Sequence, residues 1–233
     1  MKPVVVISGT SRGIGKALAE HYLLKGYTVH GCSRGDTIIT DKDYFHEKLD
    51  VSDEQQLIVW VRKIKRAGGK LEILICNAGI APANVLGIMA GGELARESFN
   101  VNYFGSFYLM REISKIMMQQ KYGRVVTFSS MAAGLHDAGS ALYSSAKSAV
   151  VETTKIFAKE LAGQGITFNV VAPSVVETQM AEQLGPEVIN QALSRLTISR
   201  PVTMNEICHT VDFFTSPESG CITGQIIYMG LVC

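Results

Sequence analysis

The run Val4-Val5-Val6-Ile7, followed at once by SGTSRGIG, constrains this chain more than any other stretch. Four consecutive apolar, β-branched residues read as a strand covered on both faces. Glycines at 9, 13 and 15 then lead into a helical stretch in which Ala17, Leu18, Tyr22 and Leu24 supply an apolar side. Glycines there let the backbone turn tightly and approach a ligand closely, and the free N–H groups at a helix start attract phosphate. An ordinary strand-to-helix turn has a similar outline, but a glycine turn between a buried strand and a helix favours nucleotide binding.

The rest of the chain repeats that alternation. Gly26 closes the first helix and Tyr27 to Cys32 reads as a second strand, ending in Cys32-Ser33-Arg34. An acidic residue at such a strand end accepts hydrogen bonds from a ribose diol, whereas arginine suits a 2′-phosphate. Arg34 here and Arg12 in the glycine turn favour NADP(H) over NAD(H), against the nearby Asp36. Leu49-Asp50-Val51 reads as the end of a third segment, and Ser52-x-x-Gln55 as a capping box before a helix that buries Leu57, Trp60, Val61 and Ile64. Asp50 suits either an adenine amino group or a turn. Leu71 to Cys76 reads as a strand ending in Asn77-Ala78-Gly79, where Gly79 leaves room for a ribose or simply makes a turn. A helical pattern from Glu93 to Gln120 follows, with Asn102 inside it, either a surface residue or one that holds a water or a backbone carbonyl.

Ser130 follows the apolar run Val125 to Phe128, at the carboxyl end of a strand, where open parallel sheets bind ligands. Tyr143 and Lys147 stand four apart, so a helix from about Ala141 places them on one face. An ammonium about 4 Å from a phenol is worth roughly 4 kcal/mol at an effective dielectric near 20, enough to bring a tyrosine from about 10 toward about 7. Such a phenol exchanges a proton at neutral pH. The same spacing also occurs on solvated faces, where it only covers surface. Ile166 to Val171 reads as a further strand before Ala172-Pro173-Ser174, Thr203-x-x-Glu206 as a capping box, and Ile226 to Met229 as a last strand.

Composition narrows the classes. A length of 233 residues with 47% hydrophobic content suits one sizeable α/β domain. A net charge of +1 without a basic stripe points away from nucleic acid and anionic membranes. Cys32, Cys76, Cys208, Cys221 and Cys233 are odd in number and form no CxxC pair, which implies reduced thiols, no structural zinc and no metal site. The first apolar run is too short for a signal peptide or a membrane span, so a cytoplasmic protein is expected.

Taken together, SGTSRGIG, Asn77-Ala78-Gly79, Asn102 with Gly105, Ser130 and YSSAK at 143–147 resemble the short-chain dehydrogenase/reductase family in its compact single-domain branch. The ordered set spans nearly the whole chain and is similar in particular to the 3-oxoacyl-[acyl-carrier-protein] reductase group. The resemblance implies a single doubly wound, Rossmann-type α/β domain over residues 1–233 with a parallel sheet of about seven strands. It implies that Asn102, Ser130, Tyr143 and Lys147 are the catalytic tetrad. Gly9, Ser11, Arg12, Gly13, Ile14 and Gly15 then cradle the pyrophosphate, Ser33 and Arg34 the 2′-phosphate, and Asp50, Val51, Asn77, Ala78 and Gly79 the adenosine side. Tyr143, Lys147, Pro173, Val176 and Thr178 meet the nicotinamide half, and residues 177–200 cover the substrate. Ser174, where relatives carry glycine, and the apolar end Leu231-Val232-Cys233 depart from the pattern; the latter is expected at a subunit contact of a homodimer or homotetramer. The implied activity is hydride transfer between NADP(H) and a carbonyl or secondary alcohol, on a small-molecule or acyl-carrier-linked substrate. Leu135, His136, Asp137 and the 179–196 region shape its pocket. A non-catalytic NADP(H) sensor and an epimerase or dehydratase of the same family are the alternative readings.

Overall fold

The computed structural model describes residues 2–177 and 186–232. Seven strands, β1 (Pro3–Ser8), β2 (Thr28–Ser33), β3 (Tyr44–Lys48), β4 (Lys70–Cys76), β5 (Gly123–Phe128), β6 (Ile166–Pro173) and β7 (Ile226–Met229), form one parallel sheet in the order β3-β2-β1-β4-β5-β6-β7. The described helices are α1 (Gly13–Leu24), α2 (Glu54–Ala67), α3 (Gly92–Phe99), α4 (Gly105–Gln120), α5 (Ala132–Leu135), α6 (Ala141–Leu161), α7 (Pro186–Ser194) and α8 (Met204–Thr215). The strand order reverses between β1 and β4, and the crevice above that reversal is where doubly wound sheets bind ligands.

Two apolar layers sandwich the sheet. Leu57, Trp60, Leu109, Met110, Ile113 and Ala158 from α2, α4 and α6 pack on one face, and Leu18, Tyr22, Ile207, Val211 and Phe214 from α1 and α8 on the other. Burial on both faces explains why the strands read as unbroken apolar runs. Alternate residues serve alternate layers: Val4 and Val6 face the first, Val5 and Ile7 the second. In β4 the alternation breaks, because the register jumps from Val4 opposite Leu71 to Val5 opposite Ile73. Glu72 is the extra residue of this bulge, and it lets Leu71, Leu74 and Cys76 all face the first layer.

The structure departs from the local sequence pattern at three places. The third strand ends at Lys48, so Leu49, Asp50 and Val51 form the loop beyond it. The cap of α2 is Asp53, whose carboxylate accepts from the Gln55 and Gln56 amides at 3.0 Å each, while Ser52 bonds Asp50 instead. The helical pattern over 93–120 is two helices joined by a π-helical turn at Asn100–Phe104. The Thr203–Glu206 capping box is present as expected. Among the described residues no helix is long and apolar enough to cross a membrane.

Candidate active site

The turn after β1 is built by close approach. Gly9 and Gly13 have φ of +79° and +55°, a conformation that a side chain strains. At Gly15 an added Cβ would stand 2.2 Å from the Gly9 carbonyl oxygen and 2.5 Å from Asn77 Nδ2, so this glycine serves the packing of α1 against the strand ends. Arg12 precedes α1 in extended conformation, no side chain caps the helix, and its first turn holds no acidic residue. By contrast α2 and α8 are capped by Asp53 and Thr203. The helix dipole favours an anion at the amino end of α1, beside Ser11, Arg12 and Ile14.

Asn77 and Ala78 brace that turn. Their amides both donate to Ser8 Oγ at 3.0 Å, and Asn77 Nδ2 donates to the Ser8 carbonyl at 3.0 Å. Asn77 therefore ties β4 to β1 through its side chain, a role the sequence reading did not assign. Gly79 makes room for Asn102, since a Cβ there would meet Asn102 Oδ1 at 2.8 Å.

At the tip of β2 the buried Ser33 hydroxyl donates to the Gly35 carbonyl at 2.8 Å, and Arg34 is exposed. Asp36, the residue that argued against a phosphate here, pairs with Lys48 at 3.3 Å. A cleft of about 350 Å³ opens beside the tip, lined by Arg34, Asp50, Glu93 and Arg96 among others. Arg96 carried no signal in the sequence; the fold alone brings α3 to this edge. Asp50 Oδ1 accepts from the Ser52 amide and hydroxyl at 2.9 and 2.7 Å, the turn role that its sequence context allowed. Val51 packs against Gly105, where a Cβ would meet it at 2.8 Å.

The structure brings Ser130, Tyr143 and Lys147 together beyond the carboxyl ends of β5 and β4. Helix α6 presents Tyr143 and Lys147 on one face, with Lys147 Nζ 5.9 Å from the centroid of the tyrosine ring. Ser130 hydrogen-bonds the phenol, and its Oγ also accepts from the Ala132 amide at 3.2 Å. Lys147 is buried and donates to the Phe128 carbonyl at 2.9 Å, while its own carbonyl accepts from Ser129 Oγ at 3.2 Å. Burial lowers the amine to about 8 and raises the phenol, the Ser130 hydrogen bond offsetting part of the latter. This corrects the expected acidic phenol: Lys147 donates to the Phe128 carbonyl, and burial raises the Tyr143 phenol instead of lowering it.

Asn102 is fully buried in the π-helical turn. Its Oδ1 accepts from the Ile80 amide and its Nδ2 donates to the Ile80 carbonyl, both at 3.0 Å. The side chain thus clamps the loop after β4, which excludes the surface role and leaves the backbone of the turn to meet any water. Irregular turns of this type recur at functional sites. Pro173 ends β6 and its carbonyl accepts from the Met131 amide at 3.0 Å; Val176 is buried and bridges to Val202. Ser174 Oγ is buried with no hydrogen-bond partner among the described residues and faces Gly230, where a Cβ would lie 3.1 Å away. Thr178 lies outside the described residues, as do 179–185 of the expected substrate cover and Cys233.

A crevice at the strand-order reversal, a glycine turn under an uncapped helix and a serine–tyrosine–lysine cluster beside it define a nucleotide-dependent oxidoreductase. The glycine cradle and Arg34 fit a dinucleotide with a 2′-phosphate. A family model described as enoyl-(acyl carrier protein) reductase matches residues 9–230. The 3-oxoacyl-[acyl-carrier-protein] reductase FabG of Escherichia coli is 32% identical over 232 residues, covering 97% of this chain and 95% of the relative. Among solved structures, ElxO with NADP bound has a TM-score of 0.91 at 27% identity, covering 98% of this chain and 97% of its own. A variant of actinorhodin polyketide ketoreductase with NADPH has a TM-score of 0.88 at 25% identity, covering 98% and 95%. The chain belongs to the short-chain dehydrogenase/reductase family and is an NADP(H)-dependent oxidoreductase.

Proposed function

We propose that the chain reduces a ketone, with Ser130, Tyr143, Lys147 and Asn102 as its working residues. What supports this reading is the grouping of Ser130, the half-buried Tyr143 whose phenol burial raises, and the Lys147 amine 5.9 Å from the centre of the same ring. Bound NADPH supplies the hydride. The carbonyl oxygen takes hydrogen bonds from Ser130 and Tyr143, which stabilise the charge developing there. Tyr143 gives its Oη proton to that oxygen as the carbon–hydrogen bond forms, and burial keeps the phenol protonated for the task. The phenolate left behind is stabilised by the Lys147 ammonium, and the proton returns through Lys147 and water held at the backbone of the Asn102 turn. Ser33 and Arg34 would hold the 2′-phosphate, the amino end of α1 the pyrophosphate, and Pro173 and Val176 the nicotinamide. Residues 177–200 cover the substrate as part of the same domain.

FabG is named for a 3-oxoacyl group on acyl carrier protein, and that class is the substrate proposed here, with a free small ketone as the alternative. NADPH absorbance with a 3-oxoacyl thioester on carrier protein and on a small thiol distinguishes the two. Consumption in proportion to hydroxyacyl product supports a reductase; conversion without net consumption identifies an epimerase or dehydratase, and binding without conversion a sensor. Tyr143→Phe, which keeps the ring and removes the proton, lowers kcat by about 10²–10⁴-fold. Near-normal turnover of that variant would end the assignment.

The proposed assembly is a cytoplasmic homodimer or homotetramer, contacting through α4 and α6. Tyr103, Phe104, Phe107, Tyr108 and Phe157 form a continuous aromatic surface there, with Phe104 and the nearby Ile156 exposed. A second copy of this chain covers such a patch at little cost in polar groups.

A further inference from the structure

A hydrogen-bonded chain runs beneath the adenosine end of the site and joins its two phosphate-facing segments. Thr10, within the glycine turn, donates to the Cys32 carbonyl at 3.5 Å and accepts from Tyr44 Oη at 2.8 Å. Tyr44 Oη is also 2.8 Å from His46 Nδ1. His46 Nε2 lies 3.1 Å from Ser33 Oγ and 3.0 Å from the Gly35 carbonyl. Gly31 makes the chain possible, because a Cβ there would fall 2.5 Å from both Thr10 Oγ1 and Tyr44 Oη. Proton bookkeeping along it is restrictive. The Gly35 oxygen only accepts, so Nε2 carries hydrogen to bond it, and Ser33 Oγ accepts from the same N–H while giving its own proton to Gly35.

We infer that His46 is a positioning residue for 2′-phosphate selectivity: it donates into Ser33 Oγ, whose own proton goes to the Gly35 carbonyl, and so holds the β2 tip on either side of Arg34 in place for the phosphate. The side chain sits on β3, outside the glycine turn and the β2 tip, and acts through Ser33 while Tyr44 and Thr10 hold it in register with the pyrophosphate turn. A strand tip tied at two points loses less freedom when an anion binds it, so more of the contact energy appears as affinity. The inference rests on the 2′-phosphate lying at the β2 tip.

The test is calorimetric binding of 2′,5′-ADP and of 5′-AMP, which differ only in the 2′-phosphate, to the full chain. The unmutated protein prefers 2′,5′-ADP. His46→Phe keeps the ring volume and lowers that preference by roughly tenfold, with 5′-AMP affinity held within about twofold, the scale of one hydrogen bond to a charged group. His46→Gln, which retains a donor near Nε2, recovers part of the loss and also serves if the phenylalanine variant does not fold. In a Ser33→Ala background His46→Phe changes nothing further. An unaltered preference in both His46 variants, equal loss of both ligands, or a full effect in the Ser33→Ala background overturns the inference. Absence of any preference in the unmutated protein overturns instead the placement of the phosphate.

Discussion

Lys147 shows what the site costs the fold. Its amine is buried, with the Phe128 carbonyl as its hydrogen-bond acceptor, and burial lowers it from 10.5 to about 8. At pH 7 the folded chain therefore holds a desolvated ammonium that the unfolded chain holds in water. A lysine with a lowered folded value destabilises fully below that value, and the burden fades as pH rises toward the unfolded one. Lys147→Met should raise the unfolding free energy at pH 7 by about 2 kcal/mol, after allowance for the lost hydrogen bond, and abolish turnover. The gain should shrink between pH 8 and 10.5, as the wild-type amine loses its proton. Urea unfolding followed by the single tryptophan, Trp60, reads this directly. At this scale the sequence made the glycine turn and the Tyr143–Lys147 pair legible, because both are spacings within one segment. It did not reveal that Lys147 bonds Phe128 or that Asn102 clamps Ile80, because those partners meet only after β4, β5 and α6 have packed.

Helix ends and irregularities are where local pattern and structure part company. Ser52-x-x-Gln55 has the outline of a capping box, yet Asp53 supplies the cap, and one residue of offset reverses the prediction for each side chain. Asp53→Ala should lower stability, whereas Ser52→Ala should leave the cap of α2 intact; denaturant midpoints compare the two. The π-helical turn at Asn100–Phe104 was illegible for a related reason. The apolar pattern on either side continues at helical spacing, so a single extra residue between two helices does not register as a break. That residue rephases the helices, letting Ser98 of α3 donate to the Leu142 carbonyl of α6 while Leu109, Met110 and Ile113 of α4 stay on the sheet.

At the scale of the whole molecule, strand order was legible as a class and not as an arrangement. Alternating apolar runs and helical patterns implied a parallel sheet of about seven strands, but the reversal between β1 and β4 is a tertiary outcome. The aromatic surface over α4 and α6 follows from the same packing, since the inward side of α4 is spent on β4 and β5. Phe104→Glu combined with Ile156→Glu should convert the assembly to smaller species in sedimentation, with the fold retained, if that face joins the copies. The bulge in β4 gives the chain a spare link. Losing one residue from a covered strand ordinarily turns every later side chain inside out, but excising Glu72 would merely let Leu71 and Ile73 fall into step with Val4 and Val5. Such a shortened chain should melt only a few degrees lower, and relatives differing by one position here would share one architecture.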